Sequence, residues 1–396
     1  MTSFFRPDSP DFSDLPWDQP FSEWPRSCPR LEEVQRGPSR HPVVFVNYSG
    51  TLYAIKELPP GLAHQEYAVL CGMEELRLPS VTPIGHAERD TPRGRSSFLY
   101  TRYLEASLPY RSLFMRSSLD RYRDNLLDAM AGLLVQLHLA GVFWGDCSLS
   151  NTLFRRDAGA LQAYLVDAET AEIHTPRLSP VLRHHDLEIM QENIDGDLLD
   201  LETLGQLPPS FPACDMGANV VERYRRLWDE LTQEQVINPG EHYRIQERIR
   251  ALNSLGFSVR DVEIEESQRG EMLRLRIVVT DRNFHRDQLL NLTGITAGER
   301  QARQMMNEIN EVKATLSQTS NRSVTLSAAA YHWMKHLYQP VTQQLEALTR
   351  IQGSKGNADS AELYCQVLEH KWFLSEHARR DVGHQAAAED YLRQFS

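Results

Sequence analysis

The sequence predicts an α+β fold in which a β-rich lobe and a helical lobe come first, and a mostly helical domain with a β-hairpin follows. Residues 41–50 and 51–59 contain two runs rich in Val, Tyr and Ile, separated by a turn at Asn47 to Gly50, a pattern typical of a β-hairpin. Residues 121–141 instead place leucines and a methionine on one helical face. The second half changes to amphipathic helical patterns around one pair of alternating strands.

Residues 1–30 are predicted to form an N-terminal extension that packs on the first lobe. This segment is rich in Pro, Asp and Ser, but it also carries Trp17 and Trp24 among several other aromatic residues. A solvated linker would rarely hold so many aromatic side chains. We expect the part around the two tryptophans to wrap onto the lobe and the extreme end to be loose.

A first domain is predicted over residues 31–210. After the hairpin, residues 62–77 predict a short helix and residues 96–105 predict a further strand. The domain is expected to end where a helical segment meets Pro208 and Pro209, because a proline pair interrupts a helix.

A second, α-rich domain is predicted over residues 220–396. Two alternating strands, 257–267 and 271–281, flank a turn at 268–270 and predict the β-hairpin of this domain. The helical patterns of this half cover residues 220–234, 241–256, 299–318, 325–349 and 360–379.

Composition limits the classes of function. At 396 residues the chain suits two or three domains, and its formal charge of −12 argues against general binding of nucleic acid. The five cysteines are scattered and form no C-x-x-C pair, which favours a reducing compartment. No apolar run approaches the roughly 20 residues needed to span a bilayer. We therefore expect a cytoplasmic protein without a transmembrane segment.

The clearest set of candidate catalytic residues lies in one loop and at the end of the strand that follows it. Asp146 stands five residues before Asn151, behind the leucine-rich helix, and Asp167 ends the apolar strand that follows. A phosphotransferase uses this layout to hold a catalytic base and two magnesium ligands. Asp146 would receive the proton of an attacking hydroxyl, and Asn151 and Asp167 would bind Mg²⁺. The alternative is that these side chains only cap loops and form turns.

Two residues upstream would organise the phosphates of ATP. Lys56, in a predicted strand, would contact the α and β phosphates, and Glu66, ten residues later, would hold the lysine in place. The alternative is a surface lysine with an unrelated helix carboxylate. Glu74 or Glu75 would replace Glu66 if the helix began later.

A glycine-rich phosphate loop of the G-x-G-x-x-G type is missing, and residues 36–41 take its place between the first two strands. Gly37 would let the backbone turn, Ser39 would hydrogen-bond phosphate oxygens, and Arg40 would add positive charge. An ordinary polar hairpin turn explains the same residues equally well.

Cys147 and Asp186 are two further residues that could belong to the site or have only a structural role. Cys147 adjoins Asp146, and we interpret it as a small buried side chain and not as a nucleophile. Asp186 either braces the catalytic loop or joins the metal site, or it is simply a carboxylate near the start of a helix.

The chain resembles the lipopolysaccharide-kinase-like branch of the protein-kinase-like superfamily in four segments: RGPSRHPVVFV, YAIKELP, WGDCSLSNTLF and LVDAET. It is more closely similar to a bacterial, largely actinobacterial family in which such a lobe precedes a domain of unknown function. The second half supports this in YRIQERIRALNSLGF, LLNLTGITAGERQARQMMNEI and LEHKWFLSEHARRDVG. The resemblance implies a two-lobed protein-kinase-like fold that uses ATP and Mg²⁺.

The sequence departs from the kinase pattern at two places. Trp144 stands where a His is common, and Ala168 and Glu169 follow Asp167 where Phe-Gly is common. These departures argue against a protein kinase with a mobile regulatory loop more than against catalysis.

We therefore expect an ATP- and Mg²⁺-dependent phosphotransferase that acts on a hydroxyl of a sugar-like molecule, an envelope precursor or a protein. The alternative is a nucleotide-binding pseudokinase whose C-terminal domain binds a protein partner.

Overall fold

The computed structural model describes residues 3–34, 40–91, 94–115, 122, 123, 125–175, 177–208, 211, 215–233, 235–237, 242–266, 273–279, 281–351 and 359–395. The chain divides into two compact units. The first unit comprises Met1–Arg155 and Ala163–Glu230, and the second comprises Arg156–Gln162 and Leu231–Ser396. The boundaries at 31–210 and 220–396 stay predictions.

The first unit contains a five-stranded antiparallel sheet with the order β1-β4-β5-β3-β2. Its strands are β1 (Ser3–Phe5), β2 (Val43–Tyr48), β3 (Thr51–Leu58), β4 (Pro83–Thr91) and β5 (Gly94–Arg102). The predicted hairpin of β2 and β3 turns at Ser49 and Gly50, whose φ angles of 53° and 87° are left-handed. Two left-handed residues match the twist of the flanking strands and so hold the register that pairs Val43 with Lys56.

The N-terminal residues pack on this sheet. Phe12 and Trp24 are fully buried and share one apolar cluster with sheet residues that include Tyr53 and Tyr100. The expectation of a loose extreme end is wrong for β1, which pairs with β4 over Ser3–Phe5. The sequence did not indicate this, since the partner strand β4 was not predicted either.

The rest of the first unit is mostly helical. Its helices are α1 (Trp24–Ser27), α2 (Leu62–Glu75), α3 (Tyr110–Met115), α4 (Leu126–Leu139), α5 (Pro180–Thr203) and α6 (Met216–Thr232), the last of which runs on into the second unit. Short strands are β6 (Ser107–Pro109), β7 (Val142–Phe143), β8 (Thr152–Asp157), β9 (Ala160–Leu165) and β10 (Glu172–Ile173). The predicted leucine-rich helix is α4, which is buried nearly all round and leads directly into the loop that contains Asp146.

The described part of the second unit is mostly helical, and it contains a three-stranded antiparallel sheet as well as the ends of β8 and β9 around their turn. The sheet has the order β11-β13-β12, with β11 (Gln235–Ile237), β12 (Val259–Glu266) and β13 (Leu273–Val279). The helices are α7 (His242–Ser254), α8 (Phe284–Thr293), α9 (Glu299–Ser320), α10 (Leu326–Trp333), α11 (Gln339–Ile351), α12 (Ser360–Ala378) and α13 (His384–Phe395). The predicted β-hairpin is present as β12 and β13, and β11 adds a third strand.

One predicted helix differs from the structure. Residues 325–349 were expected to form a single helix, but a π-helical turn at Met334–Tyr338 separates α10 from α11. Pro340 follows this turn and cannot donate a backbone hydrogen bond to the preceding turn of helix. The widened turn accommodates the proline while Trp333, fully buried, stays in the core of the second unit.

The predicted fold class is confirmed, with a β-rich lobe, a helical lobe and then a helical domain that contains a β-hairpin. Among the described residues, no helix is both long enough and apolar enough to span a bilayer.

The packing of the N-terminal segment yields a stability prediction. We expect Trp24→Ala to lower the free energy of unfolding of the first unit by about 3–5 kcal/mol, because it empties a fully buried site. Phe4→Ala is the matched control, since Phe4 is 52% exposed and should cost less than about 1 kcal/mol. Urea unfolding followed by circular dichroism checks both variants. Equal losses would show that Trp24 does not anchor the segment.

Candidate functional site

Three elements of the first unit meet at the amino group of Lys56. Lys56 lies on β3, and its Nζ is 3.0 and 3.2 Å from the two carboxylate oxygens of Glu66 on α2. The same Nζ is 2.8 Å from Oδ2 of Asp167, which follows β9. Both Lys56 and Glu66 are buried, so the lysine is not a solvated surface residue. The structure thus brings together three of the residues that the sequence singled out.

Burial and charge compete at this cluster. Burial lowers the pKa of Lys56, but the neighbouring carboxylates of Glu66 and Asp167 outweigh it, so the lysine pKa is raised and the ammonium stays charged. Burial also raises the pKa of Glu66 to about 7, against the opposing effect of Lys56. The Lys56–Glu66 ion pair is therefore sensitive to pH near neutrality.

The loop after Asp167 adds two residues that the sequence analysis did not assign to the site. The Ala168 N–H donates to Glu66 Oε1 at 3.1 Å, and the Glu169 N–H donates to Asp167 Oδ1 at 3.1 Å. The Glu169 carboxylate lies 3.0 Å from Nε2 of His41 and 3.8 Å from Nζ of Lys56. The only sequence signal for Glu169 was its place two residues after Asp167. His41 lay in the 36–41 segment, but the sequence analysis gave it no role of its own.

Two side-chain amide groups hold the Asp146 carboxylate, one from its own loop and one from α5. Asn151 Nδ2 donates to Asp146 Oδ2 at 2.9 Å and to the Asp146 carbonyl at 3.1 Å. Asn193 Nδ2, from α5, donates to Asp146 Oδ1 at 3.2 Å. These bonds fix the orientation of the Asp146 carboxylate. Because Asn151 uses its Nδ2 on Asp146, the other atom of its amide is the oxygen, a donor type that Mg²⁺ prefers.

Helix α5 supports this loop from one face. Asp186, Asn193 and Asp197 are seven and four residues apart, a spacing that places them on the same side of a helix. The Asp186 carboxylate accepts the N–H groups of Trp144 at 2.7 Å and Gly145 at 2.8 Å. This settles the open interpretation of Asp186, which braces the loop.

Further bonds to α5 complete the support of the loop. His138 Nε2 is 3.1 Å from Asp186 Oδ2, and Asp197 accepts the Ser150 N–H at 3.1 Å. Burial lowers the pKa of His138 and raises that of Asp197, and hydrogen bonds oppose both shifts. The Asn193 and Asp197 contacts were missed in the sequence, because the spacing on α5 became meaningful only beside the loop.

The two groups of residues are connected at the base of the β8–β9 hairpin. The Val166 N–H donates to the Asn151 carbonyl at 3.1 Å, one residue before Asp167. The indole N–H of Trp144 donates to the Asp167 carbonyl at 3.2 Å, and Thr170 Oγ1 donates to the Trp144 carbonyl at 2.8 Å. Trp144, where a His is common in kinases, therefore fastens the loop that contains Asp146 to the loop of Asp167.

Three further residues, Gly37, Ser39 and Arg40, were predicted to contact the phosphates. Gly37 and Ser39 lie outside the described residues. Arg40 is exposed, and the described carboxylates around Lys56 pair with Lys56 and His41 instead. Cys147 is fully buried, and burial raises the pKa of its thiol well above the usual range, which fits a packing residue.

No ready-made acidic metal centre is found in the described part of the chain, where no three His, Cys, Asp or Glu side chains gather to bind a metal ion. A divalent ion at this site would depend on the Asn151 amide together with Asp167.

Two family models match different parts of the chain. Residues 49–203 match the model of the lipopolysaccharide kinase (Kdo/WaaP) family, and residues 226–395 match a domain of unknown function (DUF4032). The first match contains Lys56, Glu66, Asp146, Asn151 and Asp167. The resemblance seen in the sequence is confirmed: a segment that matches the lipopolysaccharide kinase family precedes a segment that matches DUF4032.

Two solved structures are similar to part of the chain. WaaP in complex with acyl carrier protein is 18% identical over 58% of this chain and 99% of that chain, with a TM-score of 0.35. An aminoglycoside-3'-phosphotransferase of type VIII is 16% identical over 51% of this chain and 88% of that chain, with a TM-score of 0.34. No curated protein matches the chain. The family assignment therefore rests on the two family models.

The raised pKa of Glu66 gives a pH prediction. Folding raises the pKa of Glu66 from 4.5 to about 7, so its contribution to stability is complete below pH 4.5 and is lost as the pH rises through 7. From pH 5 to pH 8, the free energy of unfolding of the wild type should fall by about 2 kcal/mol relative to Glu66→Gln. Urea titrations at both pH values measure the difference.

Glu57→Gln is the control for this measurement, because Glu57 lies on the same strand as Lys56 and is only half-buried. Its pH dependence should follow that of the wild type. If Glu66→Gln also follows the wild type, Glu66 does not ionise within this pH range.

Proposed function

We propose that this protein is an ATP- and Mg²⁺-dependent phosphotransferase that transfers a phosphoryl group to a hydroxyl acceptor. The observation that carries the proposal is the buried contact of Lys56 with both Glu66 and Asp167. Phosphotransferases of the kinase-like class need a lysine for the phosphates, held by a helix carboxylate, beside an aspartate that binds metal. The match of residues 49–203 to a kinase family supports the same class.

The side chains present fit a magnesium ion and a triphosphate. The Asn151 amide oxygen and the Asp167 carboxylate are hard oxygen ligands of the kind that Mg²⁺ prefers. Bound Mg²⁺ would neutralise charge on the phosphates. Lys56 would exchange part of its contact with Asp167 for phosphate oxygens, while Glu66 keeps its orientation. His41 and Glu169 pair beside Lys56, so we propose that they border the phosphates.

Asp146 is the proposed base. Its two carboxylate oxygens already accept hydrogen bonds from Asn151 and Asn193, so its rotamer is set before a substrate arrives. Asp146 would orient the acceptor hydroxyl and receive its proton as the oxygen attacks the phosphorus atom. Because phosphoryl transfer in this class is direct, positioning and charge neutralisation would supply the catalysis. No covalent enzyme intermediate is required.

The acceptor and the location belong to the proposal as well. The description of the matched family, lipopolysaccharide kinase, favours a sugar-like hydroxyl or an envelope precursor over a protein. We further propose that the protein works in the cytoplasm, and that its C-terminal domain recognises the acceptor or a protein partner.

The competing proposal is a nucleotide-binding pseudokinase with a partner-binding C-terminal domain. This alternative is considered because Trp144 and Ala168 occupy positions where kinases commonly have other residues. Both substitutions have local structural roles: Trp144 fastens two loops, and Ala168 donates its N–H to Glu66. Neither role removes Lys56, Asp146, Asn151 or Asp167, and this favours the enzyme.

A test of the enzyme proposal is the effect of Asp146→Asn on turnover. We expect it to lower the rate of ATP hydrolysis or autophosphorylation by at least about 100-fold, because the proton acceptor is lost. Binding of Mg·ATP, measured by thermal shift, should be unchanged. Asp200→Asn is the matched control, since Asp200 is an exposed carboxylate on α5 and should leave the rate unchanged.

Labelled γ-phosphate and a cell extract as the source of acceptors extend this test. Turnover that survives Asp146→Asn would reject the assigned base. Mg·ATP binding without transfer to any acceptor in the extract would favour the pseudokinase.

A further inference from the structure

A polar cavity of the second unit lies between one face of α9 and one face of α12. Gln304, Glu308 and Glu311 on α9 are four and three residues apart, so they share one side of that helix. Cys365 and Trp372 on α12 are seven residues apart and share a side in the same way. The cavity volume of about 640 Å³ is within the range of small-molecule sites. The described residues that line it all belong to the second unit.

Glu308 is the most deeply buried carboxylate of this cavity, with a side chain that is 15% exposed. Its Oε2 accepts the indole N–H of Trp333 at 3.1 Å and the hydroxyl of Tyr364 at 2.8 Å, and its Oε1 lies 2.6 Å from Nε2 of His384. Burial raises the pKa of Glu308, but these three partners outweigh burial and lower the pKa. Glu308 is therefore ionised and held in one orientation at neutral pH.

The charges that line the cavity are mostly negative. Glu308, Glu311, Glu369 and Asp381 contribute carboxylates, and among the described lining residues only Lys371 contributes an ammonium group. The Nζ of Lys371 already lies 3.3 Å from Oδ1 of Asp381. Because the balance stays negative, a cationic ligand is favoured over an anion.

Two other lining residues favour a cation that carries N–H groups. The Oε1 of Gln304 is buried, yet it accepts no hydrogen bond from the part of the chain that the structure describes. A buried acceptor without a donor carries a free-energy penalty, which an N–H group of a ligand would relieve. The side chain of Trp372 is 66% exposed, and the face of an indole ring attracts an ammonium group.

The cavity is long enough for a ligand with more than one charge. Its lining extends along α9 from Gln304 to Glu311, about 10 Å at the helical rise, and along α12 from Cys365 to Ser375, about 15 Å. Two carboxylates, those of Glu308 and Glu311, follow one another along the α9 side. An extended chain with several ammonium groups would therefore meet successive carboxylates.

We propose that this cavity binds a linear organic polycation of the polyamine class. Its ammonium groups would lie beside the carboxylates of Glu308 and Glu311, one N–H group would donate to Oε1 of Gln304, and the indole of Trp372 would cover one charge. The site gives a ligand-binding role to the segment that matches DUF4032. It does not depend on the proposed phosphotransfer.

Isothermal titration calorimetry of the full chain with spermidine tests this proposal. We expect wild type to bind one spermidine, and Glu311→Gln to weaken binding about fivefold because a charge partner is lost. Trp372→Leu should also weaken binding about fivefold, since the cation loses its aromatic contact. Two matched controls should leave the affinity unchanged: Glu389→Gln, at an exposed carboxylate on α13, and Phe373→Leu, at a half-exposed ring next to Trp372.

Gln304→Leu separates a binding role from a structural role. It removes an oxygen without a described partner, so the melting temperature should not fall, while spermidine affinity should fall about fivefold. A lower melting temperature with unchanged affinity would overturn the inference. Equal losses in Glu311→Gln and Glu389→Gln would also overturn it, because spermidine would then bind through net charge alone. So would the absence of binding at millimolar spermidine.

Discussion

The first unit depends on the two ion pairs that the buried ammonium group of Lys56 forms with Glu66 and Asp167. A charged group taken out of water is tolerated only beside opposite charge, and here Glu66 and Asp167 supply it from two different elements. Strand β3, helix α2 and the loop after β9 therefore cannot move independently, because removing one partner of a buried pair costs about 3–5 kcal/mol. The same requirement keeps the positive charge of Lys56 beside the Asp167 carboxylate.

A second constraint acts on the loop that contains Asp146, whose backbone N–H groups need acceptors wherever water is excluded. Helix α5 provides these acceptors with Asp186 and Asp197, and it adds the Asn193 amide for Asp146. The loop is thus held both through its backbone and through the Asp146 side chain. Helix α5 therefore fixes the orientation of the Asp146 carboxylate as well as the path of the loop.

Local sequence patterns were sufficient to predict part of the fold and part of the candidate site. Alternation and a polar turn predicted β2 and β3, periodic leucines predicted α4, and spacing predicted that Lys56 and Glu66 would meet. Contacts between distant segments were not predictable in this way. The pairing of β1 with β4, the α5 face and the His41–Glu169 pair each join residues that no local period connects. Gly37 and Ser39 lie outside the described residues and stay predictions.

The division of the chain into units follows from the same long-range bonds. Asp157 and Gln301 are 144 residues apart, yet each supplies what the other lacks: a buried carboxylate needs donors, and the first turn of α9 needs an acceptor. Neither group is satisfied by its own neighbours in sequence, so the turn of the hairpin is part of the second core and not a loop of the first lobe. Domain edges drawn from proline pairs and composition cannot show this, because composition records what a segment contains and not which distant group its buried polar atoms require.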